Sequence, residues 1–468
     1  MVIPKARDSE AYDVVVVGCG PAGILAAYEL SEKTALKILM LDKGPDIDER
    51  KCPTSRGIGC ARCIPCSLLS GWGGAGAFSD GKLTLSSEVG GWLSEYLDAD
   101  ELNGLIDYVD KVYLKFGAPE KLYGTDFDRV EEIERKAALA GLKLVREKLR
   151  HLGTEECVGV LKRVKRSLEK KVEIRTDSEV KNLLVESNRV RGVVVSDKEI
   201  NARYVVAAPG RVGAEWLNEE AKRLGLRTLN NPVDVGVRVE VPAPVMEEIT
   251  QILYEPKFVF FSKSFDDKVR IFCVCPRGEV ITESYNDVIT VNGQSYAETK
   301  SGNTNFAILV STSFTEPFKE PIAYGKYIAR LANLLGGGII VQRVGDLEGG
   351  RRSTHERIAR NVVVPTLKTA TPGDLSFVLP YRYLSDIREM LRAMDQVSPG
   401  IYSKHTLLYG VEVKFYSSKL ELSNALETKI RNLFAVGDGA GVTRGLIQAS
   451  VSGVVAAREI ERREKGSR

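Results

Sequence analysis

The motif Gly18-x-Gly20-x-x-Gly23, together with the segments on either side of it, constrains the fold of this chain more than any other feature. Residues 12–17, YDVVVV, form a short β-branched run that is typical of a buried parallel strand. The residues after Gly20 have helical periodicity, and residues 36–41, LKILML, predict a second buried strand. This order of strand, motif, helix and strand predicts a βαβ unit with a right-handed crossover.

The three glycines of the motif predict a dinucleotide-binding turn. Gly18 permits the tight turn, Gly20 lets the backbone approach a pyrophosphate, and Gly23 lets the helix pack on the strand. Asp42 follows the second strand, where an acid can accept hydrogen bonds from the adenosine ribose. The cofactor-binding residues predicted in this unit are Gly18, Gly20, Pro21, Ala22, Gly23, Asp42 and Lys43.

Charge and hydropathy limit the partners and the location of the protein. The 468 residues include 66 basic and 63 acidic side chains, which leaves a formal net charge of +3. This balance gives no electrostatic reason to expect nucleic acid or an anionic membrane as a partner. The apolar runs are too short to span a bilayer, and the first residues lack the apolar core of a signal peptide, so we expect a cytoplasmic protein without a transmembrane segment. Gln is scarce beside abundant Glu, Lys and Arg, a bias associated with thermophiles.

Two later segments distinguish FAD from NAD. VVAAPG at residues 205–210 and NLFAVGDGAG at residues 432–441, with the N-terminal motif, resemble the glutathione-reductase-like FAD flavoproteins. The resemblance implies that Asp438 binds the ribityl chain and pyrophosphate, and that the next helix directs its positive N-terminus at the flavin. A second G-x-G-x-x-G after a strand is missing mid-chain, so we expect no separate NAD(P)H domain. The cofactor residues implied by this resemblance are Ala208, Gly210, Gly437, Asp438, Leu446 and Ile447.

Most of the chain, from Val14 to about Ile460, is similar to a family of uncharacterised FAD-dependent dehydrogenases. GGAGAFSDGKL, RHLGTEE, VVAAPGRVGAEWL and VGDGAGVTRGLIQASVSG carry this similarity. It implies an α/β fold, with a three-layer, Rossmann-like FAD-binding domain around a parallel sheet. We expect that domain to be assembled from residues 1–97, 172–230 and 400–468, with a helical insertion over 98–171 and a mixed β/α substrate domain over 231–399.

The glycine-rich segment at residues 70–83 is predicted to lie along the cofactor. Its glycines permit close approach of the backbone, and its apolar residues, such as Trp72, argue against an exposed loop. Hydroxyl and carboxylate groups follow the glycines and are able to bond the cofactor. The residues predicted to contact FAD are Gly73, Gly74, Ser79, Asp80 and Gly81.

A cysteine cluster precedes this segment, with the spacing C-x7-C-x2-C-x2-C. Two successive C-x2-C steps resemble the first ligands of bacterial ferredoxin motifs, although the Cys-Pro pair stands upstream instead of at the end. Four cysteines equally suit a tetrahedral zinc site, a C-x2-C pair suits a redox dithiol, and a thiol-rich loop without redox function is the remaining reading. The candidate ligands of an iron–sulfur cluster or zinc are Cys52, Cys60, Cys63 and Cys66. Cys273 and Cys275 alternate in a predicted strand and are interpreted as buried thiols.

The three histidines form no metal-binding pattern. His355 and Arg352 lie in GGRRSTHER, which suits either an anionic substrate or a solvated basic loop. His405 is the other candidate acid. The leading hypothesis is an FAD-dependent oxidoreductase that exchanges hydride or electrons with a small-molecule or protein partner. Two alternatives are a flavin-containing electron-transfer module or redox sensor, and a prenyl-lipid reductase.

Overall fold

The structure, a computed structural model, describes residues 10–52, 63–229, 232–285, 288–295, 300–312, 314, 320–414 and 419–466. The helices are α1 Pro21–Lys33, α2 Ala99–Lys115, α3 Phe127–Leu139, α4 Thr154–Leu168, α5 Ala214–Arg223, α6 Ala243–Leu253, α7 Pro321–Gly336, α8 Val344–Glu348, α9 His355–Ala359, α10 Tyr381–Val397 and α11 Leu446–Gly466. Short 3-10 helices cover Gly74–Phe78, Leu93–Glu95, Leu375–Phe377 and Asp438–Ala440.

The strands are β1 Ala11–Val17, β2 Ile38–Leu41, β3 Lys82–Leu85, β4 Lys143–Val145, β5 Lys148–His151, β6 Val172–Arg175, β7 Val180–Glu186, β8 Arg189–Val195, β9 Lys198–Ala207, β10 Thr228–Leu229 and β11 Val233–Pro242. They continue with β12 Lys257–Phe261, β13 Lys268–Cys275, β14 Glu279–Tyr285, β15 Val288–Gln294, β16 Asn303–Thr312, β17 Ile340–Arg343, β18 Thr371–Pro372, β19 Leu407–Lys414, β20 Lys419–Leu420 and β21 Leu433–Ala435.

The chain divides into two compact units. The first unit comprises Met1–Glu120, Arg150–Leu229 and Ser417–Arg468, and the second comprises Lys121–Leu149 and Asn230–Tyr416. The segment at 98–171, expected from the sequence to be one helical insertion, therefore contributes residues to both units.

A parallel sheet forms the centre of the first unit. Its strands run in the order β6-β2-β1-β9, with β21 parallel to β9 on one side and the antiparallel strands β8 and β7 continuing from β9. The register pairs Val14 with Ile38 on one side and with Tyr204 on the other. Because β1 is flanked on both edges and covered on both faces, its apolar run from Val14 to Val17 is buried. The predicted fold class, an α/β fold with a parallel sheet, is confirmed.

Helices α1 and α11 pack closely against each other in the first unit. A Cβ on Gly453 of α11 would lie 2.0 Å from the carbonyl oxygen of Ala22, so only glycine permits this approach. Residues 22–31 of α1 are all buried, which explains why the helix carries alanines on the sides that face its neighbours. This packing fixes the start of α1 relative to the strand ends.

The second unit is built on an eight-stranded sheet among its described residues. The strand order is β18-β17-β19-β11-β16-β13-β12-β4, antiparallel throughout except for the β17–β18 pair. The alternate valines of β11 lie in the apolar core, with α6, α7 and α10. The residues between them, among them Asp234, Arg238 and Glu240, are also buried, so the opposite face of this strand is polar. Strands β14 and β15 form a separate antiparallel hairpin in this unit.

Among the described helices, none is both long enough and apolar enough to cross a membrane.

Candidate functional site

The first turn of α1 presents backbone N–H groups without a capping side chain. Gly20 is the N-cap residue, in extended conformation, and Pro21 occupies the first turn. The first N–H groups of a helix have no partner within the helix, and the helix dipole places partial positive charge there. This end of α1 has the chemistry that binds an anion such as a pyrophosphate.

The three glycines of the motif have different neighbours. A Cβ on Gly18, which has a φ of +103°, would lie 2.1 Å from the carbonyl oxygen of Ala208, and a Cβ on Gly23 would lie 2.0 Å from that of Gly18. A Cβ on Gly20 would meet only the Cα of Gly74, at 3.9 Å. Packing within the protein therefore requires Gly18 and Gly23 but does not require Gly20. The space beside Gly20 is a cradle that a side chain would fill, and it fits a group bound against the backbone.

Asp42 holds three backbone segments together. Its Oδ2 accepts a hydrogen bond from the Cys19 N–H at 2.8 Å, and its Oδ1 accepts from the N–H groups of Gly44 at 2.9 Å and Gly71 at 2.8 Å. Each carboxylate oxygen has room for about two donors, so Oδ2 can accept one more hydrogen bond, for example from a ribose hydroxyl. The neighbouring Lys43 is half-buried.

The glycine-rich segment lies directly on the dinucleotide-binding turn. The N–H of Gly73 donates to the carbonyl of Cys19 at 2.8 Å, and the Cα of Gly74 lies beside Gly20. Both glycines have positive φ values, of 86° and 56°, which the backbone needs for this turn. Gly73 and Gly74 therefore lie beside the motif, and their contact with FAD stays a prediction.

Ser79, Asp80 and Gly81 are engaged with other parts of the protein. The Ser79 hydroxyl donates to the carbonyl of Gly76 at 2.9 Å and accepts from the N–H of Gly81. Asp80 forms an ion pair with Lys82 at 2.9 Å. Their predicted contacts with FAD stay a prediction.

Arg50 is a structural residue of this site that sequence reasoning missed. Its buried guanidinium donates to the carbonyls of Ser67, Leu68 and Trp72. Burial is the main reason why its pKa falls to about 10, and a guanidinium that is still charged at neutral pH holds the start of the glycine-rich segment in place. Nothing near Arg50 in the sequence signals this role, because its partners are 17 to 22 positions away.

The loops after β9 and β21 meet at the same end of the sheet. A Cβ on Gly439 would lie 2.5 Å from the carbonyl oxygen of Gly210, and a Cβ on Gly437 would lie 3.0 Å from the Cβ of Ala22. The segments containing Ala208, Gly210, Gly437 and Asp438 are thus brought together with the first turn of α1, as the carboxyl ends of neighbouring parallel strands must be.

Two hydroxyl groups that were not predicted orient the loop after β21. The Thr443 hydroxyl donates to Asp438 Oδ1 at 2.9 Å, and the N–H of Gly437 donates to the Ser452 hydroxyl at 2.9 Å. Helix α11 then begins at Leu446, whose Cδ2 would lie 2.6 Å from a Cβ on Gly76, and Ile447 is buried. The N-terminus of α11 therefore borders the glycine-rich segment.

The described part of the cysteine cluster shows no metal site. Cys52 and Cys66 are half-buried and Cys63 is exposed, whereas Cys60 lies outside the described residues. Among the residues that the structure covers, no three His, Cys, Asp or Glu side chains are grouped as metal ligands. An iron–sulfur cluster or zinc at these cysteines stays a prediction.

The three candidate catalytic residues lie in the second unit in different surroundings. His355 and Arg352 are exposed. His405 is half-buried, with Nδ1 2.8 Å from Asn361 Oδ1, and burial together with Lys404 and Arg343 lowers its pKa. The nearby arginines Arg343, Arg351 and Arg357 surround the buried Asp346 carboxylate, so a local ion-pair network explains much of the basic character of this segment.

Comparison with known proteins finds a family match in the second unit. Residues 232–415 match the family model "FAD-dependent protein, C-terminal domain-like", which covers nearly the whole of Asn230–Tyr416. An uncharacterized protein of Clostridium beijerinckii is 27% identical over 472 residues, covering 95% of this chain and 80% of that protein.

Two solved structures align with nearly the whole chain at low sequence identity. Glycine oxidase from Geobacillus kaustophilus is 14% identical, with a TM-score of 0.40 and coverage of 97% of this chain and 95% of that one. L-proline dehydrogenase from P. horikoshii is 12% identical, with a TM-score of 0.40 and coverage of 97% and 94%.

Proposed function

We infer that this chain, an FAD-dependent protein by its family match over residues 232–415, is an oxidoreductase that exchanges hydride or electrons between a substrate and bound FAD. The observation that carries the inference in the first unit is the space beside Gly20. At this position the nearest atom to a Cβ is 3.9 Å away, at the uncapped start of α1, whereas Gly18 and Gly23 are required by packing alone.

The residues around this space have roles that suit the cofactor. FAD, when bound, supplies the redox chemistry, and the protein positions it. The first N–H groups of α1 would bind its phosphates, Asp42 Oδ2 would accept one ribose hydroxyl, and Asp438, oriented by Thr443, would bind near the pyrophosphate. Gly210 and Gly437, which lie in the loops that converge on the same turn, would line the rest of the site.

The substitution Gly20→Ala tests this assignment. The added methyl group has room in the protein, so the fold should be retained, but it would occupy the space next to the helix start. We expect FAD to bind about 10- to 100-fold more weakly, equivalent to about 1.4 to 2.8 kcal/mol. The measurement is a titration of the FAD-free protein with FAD, followed by flavin fluorescence, with far-UV circular dichroism to establish that the fold is unchanged.

Gly104→Ala is the matched control. Gly104 lies on the exposed side of α2, and a Cβ there would have no neighbour within 4 Å. This variant should bind FAD as the wild type does. Wild-type protein that neither contains FAD nor binds it would contradict the proposed function, and equal affinities of Gly20→Ala and wild type would contradict the assigned site.

The redox partner is proposed only by class. We propose a small organic molecule that reduces the bound flavin directly, with a protein partner as the alternative acceptor or donor. Anaerobic reduction of the holoprotein by soluble metabolites, followed at the flavin absorption band, distinguishes the two. Reduction only by another protein would indicate an electron-transfer module. A cytoplasmic location is likewise proposed from the sequence.

A further inference from the structure

Strand β13 ends in an irregular segment that carries two cysteines. The pairing of β13 with β16 shifts between Phe272 and Cys275, and Cys273 has a φ of +51°. Positive φ is uncommon for a residue with a side chain, and such conformations persist where the surrounding structure imposes them. The bulge departs from the simple alternation expected of Cys273 and Cys275 in a regular strand.

Both sulfur atoms lie next to one guanidinium group. Nη2 of Arg238 is 3.2 Å from Cys275 Sγ and 3.9 Å from Cys273 Sγ, and it also donates to the carbonyl of Cys273 at 2.6 Å. Nε of Arg238 donates to Asn305 Oδ1 at 2.8 Å, which fixes the plane of the group. The two sulfurs thus share one guanidinium nitrogen as a common neighbour.

The charges around Arg238 favour a thiolate at this position. Nη1 of Arg238 lies 3.5 Å from Glu412 Oε2, but the other oxygen of Glu412 is bound by Lys414 at 2.9 Å. The Glu412 carboxylate is thus shared between two cations, and Lys414 also lies 3.9 Å from Glu283 Oε2. A guanidinium beside a sulfur stabilises the thiolate, which is the reactive form of cysteine.

The two cysteines differ in access. Cys275 is fully buried, whereas Cys273 is only half-buried, with its sulfur 4.0 Å from Asn292 Oδ1 of β15. Gly293 of the same strand leaves room for the guanidinium, because a Cβ there would lie 1.9 Å from Arg238 Nη2. The hairpin β14–β15 therefore packs against the guanidinium, and of the two cysteines the half-buried Cys273 is the one that a small reagent would meet first.

We propose that Cys273 and Cys275 form a redox-active dithiol that a small hydroperoxide oxidises to a disulfide. The Cys273 thiolate attacks the terminal peroxide oxygen, so that an S–O bond forms, the O–O bond breaks, and the leaving hydroxide or alkoxide takes a proton to become water or an alcohol. The Cys275 thiolate then attacks the resulting sulfenic acid, so that the S–S bond forms and the second oxygen leaves as water. Two thiols lose two electrons in total and the peroxide gains them. The inference is independent of FAD binding.

Trypsin makes the test direct, because cleavage after Arg270 and Arg277 isolates both cysteines in the peptide IFCVCPR. The full-length protein is treated with hydrogen peroxide at neutral pH, alkylated under denaturing conditions, digested and analysed by mass spectrometry. We expect this peptide to lose two hydrogens and both alkylation sites, and to recover them with dithiothreitol. Cys157, whose pKa burial raises to about 12, lies on another peptide and should stay alkylated as an internal control.

Variants assign the two roles. Cys275→Ser should leave a sulfenic acid on Cys273 that a dimedone reagent labels, whereas Cys273→Ser should leave Cys275 unoxidised.

Arg238→Met should slow disulfide formation about tenfold, while Arg382→Met, which removes an exposed arginine bound to Asp267, should not change it. Arg238→Lys keeps a cation, so its rate of disulfide formation should lie between those of Arg238→Met and Arg382→Met. This variant also provides the test if Arg238→Met does not fold.

Two results would overturn the proposal. One is a wild-type peptide that remains alkylated at both cysteines under peroxide that oxidises exposed Cys63. The other is oxidation of Cys273 to the sulfinic acid while Cys275 is still a thiol, because it would show that the two sulfurs do not meet.

Discussion

At the first turn of α1 the first unit brings backbone against backbone, whereas the second unit brings charged side chains together on one face of its large sheet. In the first unit, Gly18, Gly23 and Gly453 allow contacts that any Cβ would block. In the second, Arg238 and Glu412 are buried on neighbouring strands, 3.5 Å apart, and Arg238 also donates to Asn305.

The difference shows two ways of organising a polar interior. The backbone-built site depends on where side chains are missing, so it tolerates almost no enlargement and leaves room for a ligand. The side-chain network depends on complete pairing, because each buried charge that loses its partner costs free energy. Substitutions that enlarge a side chain should therefore destabilise the first unit most. Substitutions that remove a hydrogen-bond acceptor should destabilise the second unit most.

Gly23→Val should have the largest effect. Its Cβ would lie 2.0 Å from the carbonyl oxygen of Gly18 and 3.1 Å from Val16 Cγ1, both of them within the buried βαβ unit. We expect a loss of about 3 kcal/mol or more in the free energy of unfolding, at the upper end for overpacking. Urea unfolding measures it, and wild-type stability would show that the turn can open without cost.

Glu240→Leu tests the side-chain network in the second unit. Glu240 is fully buried and accepts hydrogen bonds from the Thr366 hydroxyl at 2.6 Å, from Asn303 Nδ2 at 3.0 Å and from the Tyr409 hydroxyl. Leucine has a similar size but leaves these donors without an acceptor, so we expect a loss of about 3 kcal/mol.

Glu240→Gln is the control for that change, since it keeps one acceptor oxygen. Its loss should be about 1 kcal/mol. Equal unfolding free energies for Glu240→Leu and Glu240→Gln would mean that hydrogen bonding at this position does not matter.

Asp42→Asn examines whether the first unit also depends on a side chain. The amide keeps one acceptor for the N–H groups of Gly44 and Gly71 but turns a donor toward the N–H of Cys19. We expect a loss of about 2 kcal/mol, as for a hydrogen bond to a charged group. Thermal and urea unfolding measure this loss of stability. A variant as stable as the wild type would show that backbone packing alone holds the three segments together.

Asp386→Asn should stabilise the protein. Burial, followed by the neighbouring Asp267 carboxylate, raises the pKa of Asp386 in the second unit to about 6. A raised carboxyl pKa gives stability that is present below its unfolded value, near 4, and is lost as the pH rises through 6. Asparagine removes this loss, so we expect a gain of about 2 kcal/mol at pH 7.5 and about half of that gain at pH 5, midway between the two pKa values.

Unfolding in urea at the two pH values measures the difference. Asp266→Asn is the matched control, because Asp266 is exposed and has a φ of +55°, a conformation that asparagine accepts. A gain in Asp386→Asn that is the same at both pH values would show that ionisation of Asp386 is not its cause.

Local features were enough to predict the first βαβ unit. The predicted strands at 12–17 and 36–41 correspond to Ala11–Val17 and Ile38–Leu41, and the helix begins at Pro21 directly after the motif. These elements were readable because hydrophobic periodicity and glycine position act over a few residues. The role of Arg50 could not be predicted in this way, because the carbonyl groups that it binds lie in a later turn of the chain.

The same contrast applies to the two interiors. The sequence by itself determined the parallel sheet and the glycine turn before α1, since glycine spacing and strand ends record where a backbone must approach another group, while FAD was implied by the family resemblance. Only the tertiary structure decided that Asp42 ties three segments together and that Cys273 and Cys275 share the guanidinium of Arg238. Arg238 lies on β11 and the cysteines on β13, separated in the sheet by β16, and such a contact depends on strand order and on a bulge that no local pattern specifies.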